Sequence, residues 1–365
     1  MDFGFTEEQE ALRKSAREVL AERSTAAVVR EVMASDDGFD ASLWKTISEL
    51  GWLGVTIPES EGGLGLGWVE QAILLEETGR TVLPAPYLTT VGLVLPTLLL
   101  AETSELRSEL LQGIADGSRR VSFAALERDG DYGAESIAAE AIADGGAYKI
   151  TGTKVFVPDA QVADDLLVLA RSDGGIGVFV VAASSASITA LPSLDKTRRL
   201  CEVKLDGAPA RLVAKDPTVL SRALDRAAVA IAAEQTGVAA QCLDMTVAYA
   251  KERSQFGRAI GSFQAVSHKL ADMLLYTESA RSHVYYAAWT LDEGAPDASL
   301  ASASARVAGI HAARFAASEE IQLHGGIGFT WEHDLHLYYR RAKWDELFLG
   351  DETVWREKIA SLLAG

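Results

Sequence analysis

The chain has 365 residues, of which 48% are hydrophobic and 24% are charged, so it can bury a large core in about two or three domains. Its formal net charge of -18 at pH 7 argues against a surface that binds nucleic acid. The two cysteines, Cys201 and Cys242, predict no disulfide framework and fit a reducing compartment. No signal peptide is recognisable at the N-terminus. The longest apolar run, 91–101, is shorter than the roughly 20 residues of a membrane helix. We therefore expect a cytoplasmic protein outside the membrane.

Residues 1–118 are predicted to form an N-terminal helical domain. Thr6 is followed three residues later by Gln9, which is the pattern of a helix N-cap before an amphipathic run. Further helices are predicted around Trp44, over 69–78 and over 106–114. The segment Pro58-Glu-Ser-Glu-Gly-Gly-Leu-Gly predicts a glycine-rich loop between them.

Residues 119–217 have a different pattern, with short β-branched runs separated by glycine and aspartate. Examples are Leu166-Leu-Val-Leu-Ala and Val178-Phe-Val-Val-Ala. Their length and turn spacing predict a small, mostly antiparallel β domain. Long helices do not alternate with these strands, so a doubly wound sheet is not indicated.

Residues 218–365 are rich in alanine and predict a C-terminal four-helix bundle. The predicted helices cover Ala223–Arg253, Ala265–Glu293, Ala298–His324 and Trp344–Leu363. The expected fold class is therefore mainly α with a central β domain.

Two segments carry residues suited to holding a phosphorylated ligand. One contains Arg253-Ser-Gln-Phe-Gly, and the other is Gln322-Leu-His-Gly-Gly-Ile-Gly-Phe. A diphosphate needs a fixed cation and backbone donors, and glycines such as Gly325 and Gly326 let the backbone approach a ligand closely. Taken singly, each feature has an ordinary explanation, as a surface ion pair or as a helix C-cap.

Taken together, the patterns R-x-x-F-G-x-x-I before a glutamine and Q-x-x-G-G-x-G-F about sixty residues later resemble the acyl-CoA dehydrogenase family. The glycine-rich loop and the order of domains extend the resemblance along nearly the whole chain. It implies FAD-dependent α,β-desaturation of an acyl-CoA thioester, with an electron-transfer flavoprotein as the usual electron acceptor. The family equivalents of Arg253, Gln255, Phe256, Gln322 and Gly326 reach across a subunit interface to the pyrophosphate and adenine of FAD. Position 255 is often threonine in the family, so Gln255 departs from the pattern.

The residues that contact the flavin in the family are replaced in this chain. The stretch 124–134 stands where the family has T-E-P-x-A-G-S-D, and it lacks the threonine and serine that hold the flavin. Phe156-Val157-Pro158 stands where the family has tryptophan, an aliphatic residue and a hydroxyl residue. Pro158 supplies neither a hydroxyl nor a backbone N–H.

The catalytic base is also absent from its usual position, which aligns with Leu349. Desaturation requires a carboxylate that removes the proton at Cα, and a leucine cannot accept one. The alternative base position of other family members aligns with Ala227. Glu234 lies seven residues further on in the same apolar helix, about 10 Å along its axis. A carboxylate there is costly unless it is paired or functional, so Glu234 is either a displaced base or a buried structural partner.

These departures suggest a β-type subunit of a heteromeric acyl-CoA dehydrogenase. In such α2β2 assemblies a homologous subunit carries the catalytic glutamate, and bulky substrates such as steroid-type CoA thioesters are implied by the resemblance. Two alternatives stay open. The chain is a complete homomeric enzyme with Glu234 as its base, or it is a non-catalytic module that binds acyl-CoA or scaffolds a partner. We expect no metal, because His333 and His336 have no cysteine beside them.

Overall fold

The computed structural model describes residues 4–128 and 136–364 of the chain. Its helices are α1 (Glu7–Arg23), α2 (Ala26–Ala34), α3 (Ala41–Glu49), α4 (Trp68–Arg80), α5 (Tyr87–Thr89), α6 (Leu95–Leu100), α7 (Glu105–Ala115), α8 (Pro217–Glu252), α9 (Gln264–Glu293), α10 (Ala298–His324), α11 (Leu335–Leu347) and α12 (Glu352–Ala364). Its strands are β1 (Val121–Ala124), β2 (Glu140–Asp144), β3 (Ala147–Pro158), β4 (Asp165–Ser172), β5 (Gly175–Ala182), β6 (Ser187–Leu191), β7 (Leu200–Ala214), β8 (Ser254–Gln255) and β9 (Arg258–Ala259). The predicted order of helices, β region and helices is confirmed. Among the described helices, none is long and apolar enough to cross a membrane.

The chain divides into two compact units. The first contains Met1–Glu31, Trp68–Leu83 and Ala228–Gly365, and the second contains Val32–Gly67 and Pro84–Ala227. The first unit therefore holds most of the long C-terminal helices, and the second holds the β region and the start of α8. The division into three domains at residues 118 and 217 stays a prediction.

The predicted cap at the start of α1 is present. The Thr6 hydroxyl accepts a hydrogen bond from the Gln9 backbone N–H at 3.2 Å, and the Gln9 side chain accepts one from the Thr6 N–H at 3.0 Å. Each side chain thus satisfies a backbone donor that the helix leaves unpaired.

The β region of the second unit forms a seven-stranded, mostly antiparallel sheet. Strands β4, β2, β3, β7 and β5 pair in succession, and β5 pairs with β4 again, so the hydrogen bonding closes on itself. β1 extends the sheet in parallel beside β4, and β6 lies antiparallel to β7. Inward-facing side chains such as Ile150, Leu166, Phe179 and Val203 form its core. The short β-branched runs therefore form the mostly antiparallel β region that was expected.

A buried lysine anchors one end of this sheet. Lys154 on β3 is fully buried, and its ammonium donates to the Ala125 carbonyl at 3.0 Å and to Glu127 at 2.7 Å. Glu127 also accepts hydrogen bonds from the backbone N–H groups of Ala138 and Ala139. Desolvation lowers the pKa of Lys154, and the hydrogen bond to Glu127 partly opposes this effect. The pair ties the segment after β1 to the segment before β2.

The single helix predicted over Trp344–Leu363 is wrong, because the chain breaks between α11 and α12. Leu349 and Gly350 have φ angles of +60° and +100°, which an α-helix does not accept. Asp351 then starts α12, since its carboxylate accepts from the N–H groups of Thr353 and Val354. The described C-terminal region therefore contains five helices, α8 to α12, instead of the expected four.

Helices α4 and α8 approach each other through two glycines. A Cβ added at Gly237 would lie 1.9 Å from the Glu76 carbonyl oxygen, and one added at Gly79 would lie 2.1 Å from the Glu234 carbonyl oxygen. Both contacts are with backbone atoms, which cannot rotate away. The two backbones can pack this closely only because neither position carries a side chain.

We therefore predict that Gly237→Ala lowers the free energy of unfolding by about 2–3 kcal/mol, because the new methyl group forces the two helices apart. Urea unfolding of both proteins measures the difference. Gly113→Ala is the control: its new Cβ would lie 2.8 Å from a side-chain atom of Arg119 instead of 1.9 Å from a backbone atom, and alanine favours a helix more than glycine does, so we expect a smaller loss. Equal stability of Gly237→Ala and the parent protein would contradict the prediction.

Candidate functional site

The first predicted ligand segment forms a tight hairpin at the end of α8. β8 and β9 are joined by Phe256 and Gly257, whose φ angles are +51° and +79°. A two-residue turn with two positive φ values normally contains Asn-Gly, and a left-handed phenylalanine costs about 1–2 kcal/mol. The Phe256 side chain is nevertheless 93% exposed. A strained residue that presents an apolar ring to solvent is typical of a binding position.

The second predicted ligand segment lies at the end of α10. Gln322 is exposed in the last turn of the helix. Gly325 has φ +61° and ψ -136°, a conformation that requires glycine. A Cβ added at Gly325 or at Gly326 would meet no described atom within 4 Å. The backbone here is open to a ligand.

The structure brings the two segments together through stacked rings. Tyr249 lies in the last turn of α8 and His324 ends α10, and their ring centroids are 4.2 Å apart with an interplanar angle of 22°. The backbone N–H of Arg253 donates to the Tyr249 carbonyl at 2.8 Å. The Nδ1 atom of His324 lies 2.7 Å from the Glu320 carbonyl oxygen. All six residues predicted to bind the cofactor therefore lie at the same end of the helices of the first unit.

The exposed groups of this surface suit a phosphorylated aromatic ligand. Within the part of the chain that the structure describes, no carboxylate lies within salt-bridge distance of the exposed Arg253 guanidinium. The amides of Gln255 and Gln322 are also exposed. An uncommitted guanidinium and two amides can bind a diphosphate and a base. This donor set fits the adenine and pyrophosphate side of FAD.

Sequence reasoning missed part of this surface, which is strongly apolar. Phe329 is 80% exposed, and Ile327 and Trp331 are also exposed. The Trp331 ring stacks on His336 with centroids 4.2 Å apart, so it is held in place. Exposed apolar side chains grouped in this way mark a protein interface or a ligand surface. The alternate apolar residues 327, 329 and 331 within a glycine-rich loop could have indicated this apolar surface from the sequence.

The segment predicted to face the flavin offers few free polar groups. Phe156 has φ +53° and is half exposed, at an irregularity in the pairing of β3 with β7. The Ser122 hydroxyl donates to the Pro158 carbonyl, so its proton is already engaged. In the stretch 124–134, residues 129–134 lie outside the described residues.

Leu349, at the usual position of the base, is buried in a strained turn. Arg306 holds this turn: its Nη2 donates to the carbonyl oxygens of Phe348, at 2.9 Å, and Asp345. Its Nη1 donates to the Gln235 side chain on α8 at 2.8 Å. The turn is therefore fixed to α8, but it carries no proton acceptor at position 349.

Glu234, the alternative base, is buried in an ion pair. Its Oε1 accepts a hydrogen bond from Arg341 Nη1 at 3.1 Å, and both side chains are at most 1% exposed. Arg341 Nη2 also donates to the carbonyl oxygens of Val82 and Leu83, at 3.3 and 3.2 Å. These contacts favour the structural role of Glu234 over the catalytic one.

A second buried carboxyl group, that of Glu320, lies one turn before His324. Neither of its oxygens has a hydrogen-bond partner by distance and angle among the described residues. Burial raises the pKa of Glu320 well above its usual value of 4.5, and the nearby Cys242 thiol offsets this only in part. Glu320 is therefore protonated in the folded protein at a pH where the unfolded chain has lost the proton.

The raised pKa of Glu320 predicts that Glu320→Gln changes the stability of the protein by an amount that depends on pH. Because the folded pKa is raised, the parent protein loses stability as the pH rises from about 4.5 to the folded pKa, by about 1.4 kcal/mol per pH unit. Glutamine does not titrate, so the variant should gain stability relative to the parent between pH 5 and pH 8. Urea unfolding at both pH values measures the change. Parallel pH profiles for Glu320→Gln and the parent would refute the assignment.

Comparison with known proteins identifies the class to which this fold and surface belong. Residues 6–118 match the N-terminal domain of acyl-CoA dehydrogenases, and residues 218–363 match their C-terminal domain. The chain therefore belongs to the acyl-CoA dehydrogenase family of FAD-dependent oxidoreductases.

Particular relatives are similar over nearly the whole length. The acyl-CoA dehydrogenase IpdE2 of Mycobacterium tuberculosis is 36% identical over 337 residues, covering 92% of this chain and 91% of that protein. Among solved structures, the ChsE4-ChsE5 complex from Mycobacterium tuberculosis matches with a TM-score of 0.92 and 32% identity, covering 100% of this chain and 99% of that one. The Tcur3481-Tcur3483 steroid acyl-CoA dehydrogenase variant matches with a TM-score of 0.89 and 34% identity, covering 98% of both chains.

Proposed function

We propose that this chain is the β-type subunit of a heteromeric acyl-CoA dehydrogenase and contributes half of a shared FAD site. One observation carries the proposal: the surface around Arg253, Phe256 and Gly325 is formed and exposed, while position 349 holds a buried leucine. A chain that kept its own complete site would need a carboxylate near the acyl group. A chain with no cofactor role would have little reason to retain a strained, exposed Phe256.

The groups that this chain supplies indicate which part of FAD it would bind and which part it would leave to a partner. Arg253 would neutralise the diphosphate, Gln255 and Gln322 would hydrogen-bond the adenosine side, and the N–H groups of Gly325 and Gly326 would approach the phosphates. When bound, FAD supplies the hydride acceptor for the acyl Cβ. A homologous partner would supply the carboxylate for the Cα proton and the hydroxyl groups around the flavin, and an electron-transfer flavoprotein would reoxidise the assembly.

The relatives support an assembly of unlike chains and a bulky substrate. One of the similar structures is a complex of two named chains, ChsE4 and ChsE5. Another is a steroid acyl-CoA dehydrogenase whose name, Tcur3481-Tcur3483, also joins two chain names. By similarity, we propose an α2β2 assembly that oxidises a steroid-type CoA thioester. The exposed apolar residues Phe256, Phe329 and Trp331 would then be covered by the partner.

The test is the visible absorption spectrum of the chain purified alone and after co-expression with a homologous chain that carries the family glutamate and the T-E-P-x-A-G-S-D segment. We expect a colourless protein alone and about one FAD per pair of unlike chains in the complex. A flavin-replete homo-oligomer that oxidises acyl-CoA would instead establish the complete enzyme. Absence of FAD from both preparations would support a non-catalytic module.

A further inference from the structure

A cavity of about 440 Å³ lies within the first compact unit and has no part in the proposed cofactor site. Its wall combines apolar side chains, including Leu20, Val82 and Leu337, with the charged side chains of Arg17, Glu77 and Arg80. A volume of this size is in the range of small-molecule sites, which are largely apolar with a few polar groups that fix orientation.

The charges of the wall favour one negative charge on the ligand. Arg17 forms two hydrogen bonds to Glu77, at 2.9 and 2.6 Å, and so these two charges offset each other. Arg80 has a distant contact with Glu77, at 4.0 Å, and a close one with Asp244, at 2.6 Å, but the Asp244 side chain is 61% exposed. An anion in the cavity can replace that solvated partner at little cost. The lining side chains of Arg17, Arg80 and Glu77 together carry one net positive charge, which Asp244 neutralises from outside the lining until an anion displaces it.

The start of a helix and a buried hydroxyl supply uncharged hydrogen-bond donors in addition to Arg80. α2 begins at Ala26, which lines the cavity, and the first N–H groups of a helix are donors that favour an anion. Ser24 also lines the cavity and is only 3% exposed. Its hydroxyl has no hydrogen-bond partner within residues 4–128 and 136–364. Such a buried hydroxyl is expected to have a partner, which a ligand can supply.

A strained turn forms another part of the wall. Val82 has φ +45°, a conformation that is strained for a β-branched residue. The Val82 and Leu83 carbonyl oxygens accept hydrogen bonds from Arg341, which is itself paired with Glu234. The buried ion pair thus holds a strained turn that places the apolar Val82 in the cavity wall.

We propose that this cavity binds a small monocarboxylate with a short aliphatic body. The carboxylate would pair with Arg80 and accept hydrogen bonds from Ser24 and the start of α2, and the apolar body would contact Leu20, Val82 and Leu337. A planar two-oxygen anion matches a guanidinium group, and a single charge matches the wall. The proposal concerns a site other than the FAD surface and does not depend on it.

The test uses hexanoate, with neutral hexanamide as the matched probe, titrated calorimetrically into the full chain in its purified assembly. We expect saturable binding of hexanoate and much weaker binding of hexanamide. Arg80→Met should weaken hexanoate binding about ten- to hundredfold, and Ser24→Ala, which leaves every ion pair intact, about two- to tenfold. Arg356→Met removes an exposed arginine that pairs with Glu352 outside the cavity, and it should bind hexanoate as the parent does.

Crystals soaked in 6-bromohexanoate locate the ligand independently of the variants. An anomalous bromine peak beside Val82 and Leu337 is the expected result. A peak only elsewhere, equal binding of hexanoate and hexanamide, or unchanged affinity in both Arg80→Met and Ser24→Ala would overturn the proposal. FAD content measured on the same samples separates this result from the proposed function, because Arg80 and Ser24 do not belong to the cofactor surface.

Discussion

Arg341→Met is expected to lower the free energy of unfolding by about 3–5 kcal/mol, the largest loss that we predict for a single substitution. Arg341 is completely buried, and its guanidinium pairs with Glu234 and with the carbonyl oxygens of Val82 and Leu83. Methionine fills similar space but leaves the Glu234 carboxylate buried without its cation. Removal of one partner from a buried pair costs far more than the pair itself contributes, because the remaining charge stays desolvated. Denaturant unfolding of the assembled protein measures the loss.

The double variant Glu234→Leu/Arg341→Met tests this explanation. Replacing both charges with apolar side chains removes the uncompensated charge, so the double variant should recover a large part of the stability lost in Arg341→Met. If the two substitutions lower stability additively, the pair is not the source of the effect. The loss of the Val82 and Leu83 hydrogen bonds would persist in both variants.

Glu234→Gln addresses the catalytic alternative in the same assembly. A displaced base would lose its proton acceptor, and turnover of acyl-CoA would fall by orders of magnitude while FAD stayed bound. A structural partner would lose stability, and turnover below the melting temperature would persist. The pairing with Arg341 leads us to expect the second result.

The sequence predicted those parts of the fold in which local pattern and tertiary structure agree. The alanine-rich periodicity of α8 to α10 and the cap at Thr6 are of this kind, and both are confirmed. The break between α11 and α12 was missed although Gly350-Asp351 is a typical helix end followed by an N-cap, because the segment has no proline and Leu349 is a good helix former. Its left-handed conformation depends on contacts from Arg306, which is about forty residues away in the chain.

Only part of the candidate site could be predicted, namely the residues that belong to local sequence patterns. Arg253, Phe256 and Gly325 belong to short patterns with fixed spacing, so residue type alone indicated a ligand. The partner of Glu234 was not visible in this way, because Arg341 lies 107 positions away in the sequence. The closeness of α4 and α8 at Gly79 and Gly237 likewise depends on tertiary packing. Sequence patterns identified the chemical groups, and the fold determined which of them are already paired.

Arg253→Met is expected to weaken FAD binding to the assembled protein about ten- to hundredfold, the second large effect that we predict. The Arg253 guanidinium is exposed and has no carboxylate partner among the described residues, so it is available to a diphosphate. A hydrogen bond to a charged group contributes about 1.5–3 kcal/mol, which corresponds to this change in affinity. Flavin titration of the cofactor-free assembly measures the dissociation constant, and the melting temperature of each chain alone should not change.

Arg258→Met is the matched control, because it removes the same charge from the same hairpin. The Arg258 guanidinium lies 4.0 Å from the centroid of the ring of Phe263 at the start of α9, so it is already engaged and should not contact the diphosphate. We expect FAD affinity to be little changed in this variant. Higher salt should also reduce the difference between Arg253→Met and the parent, since ions screen an exposed charge. If both variants weaken FAD equally, the effect is a general loss of positive potential, and Arg253 is not a specific contact of the shared site.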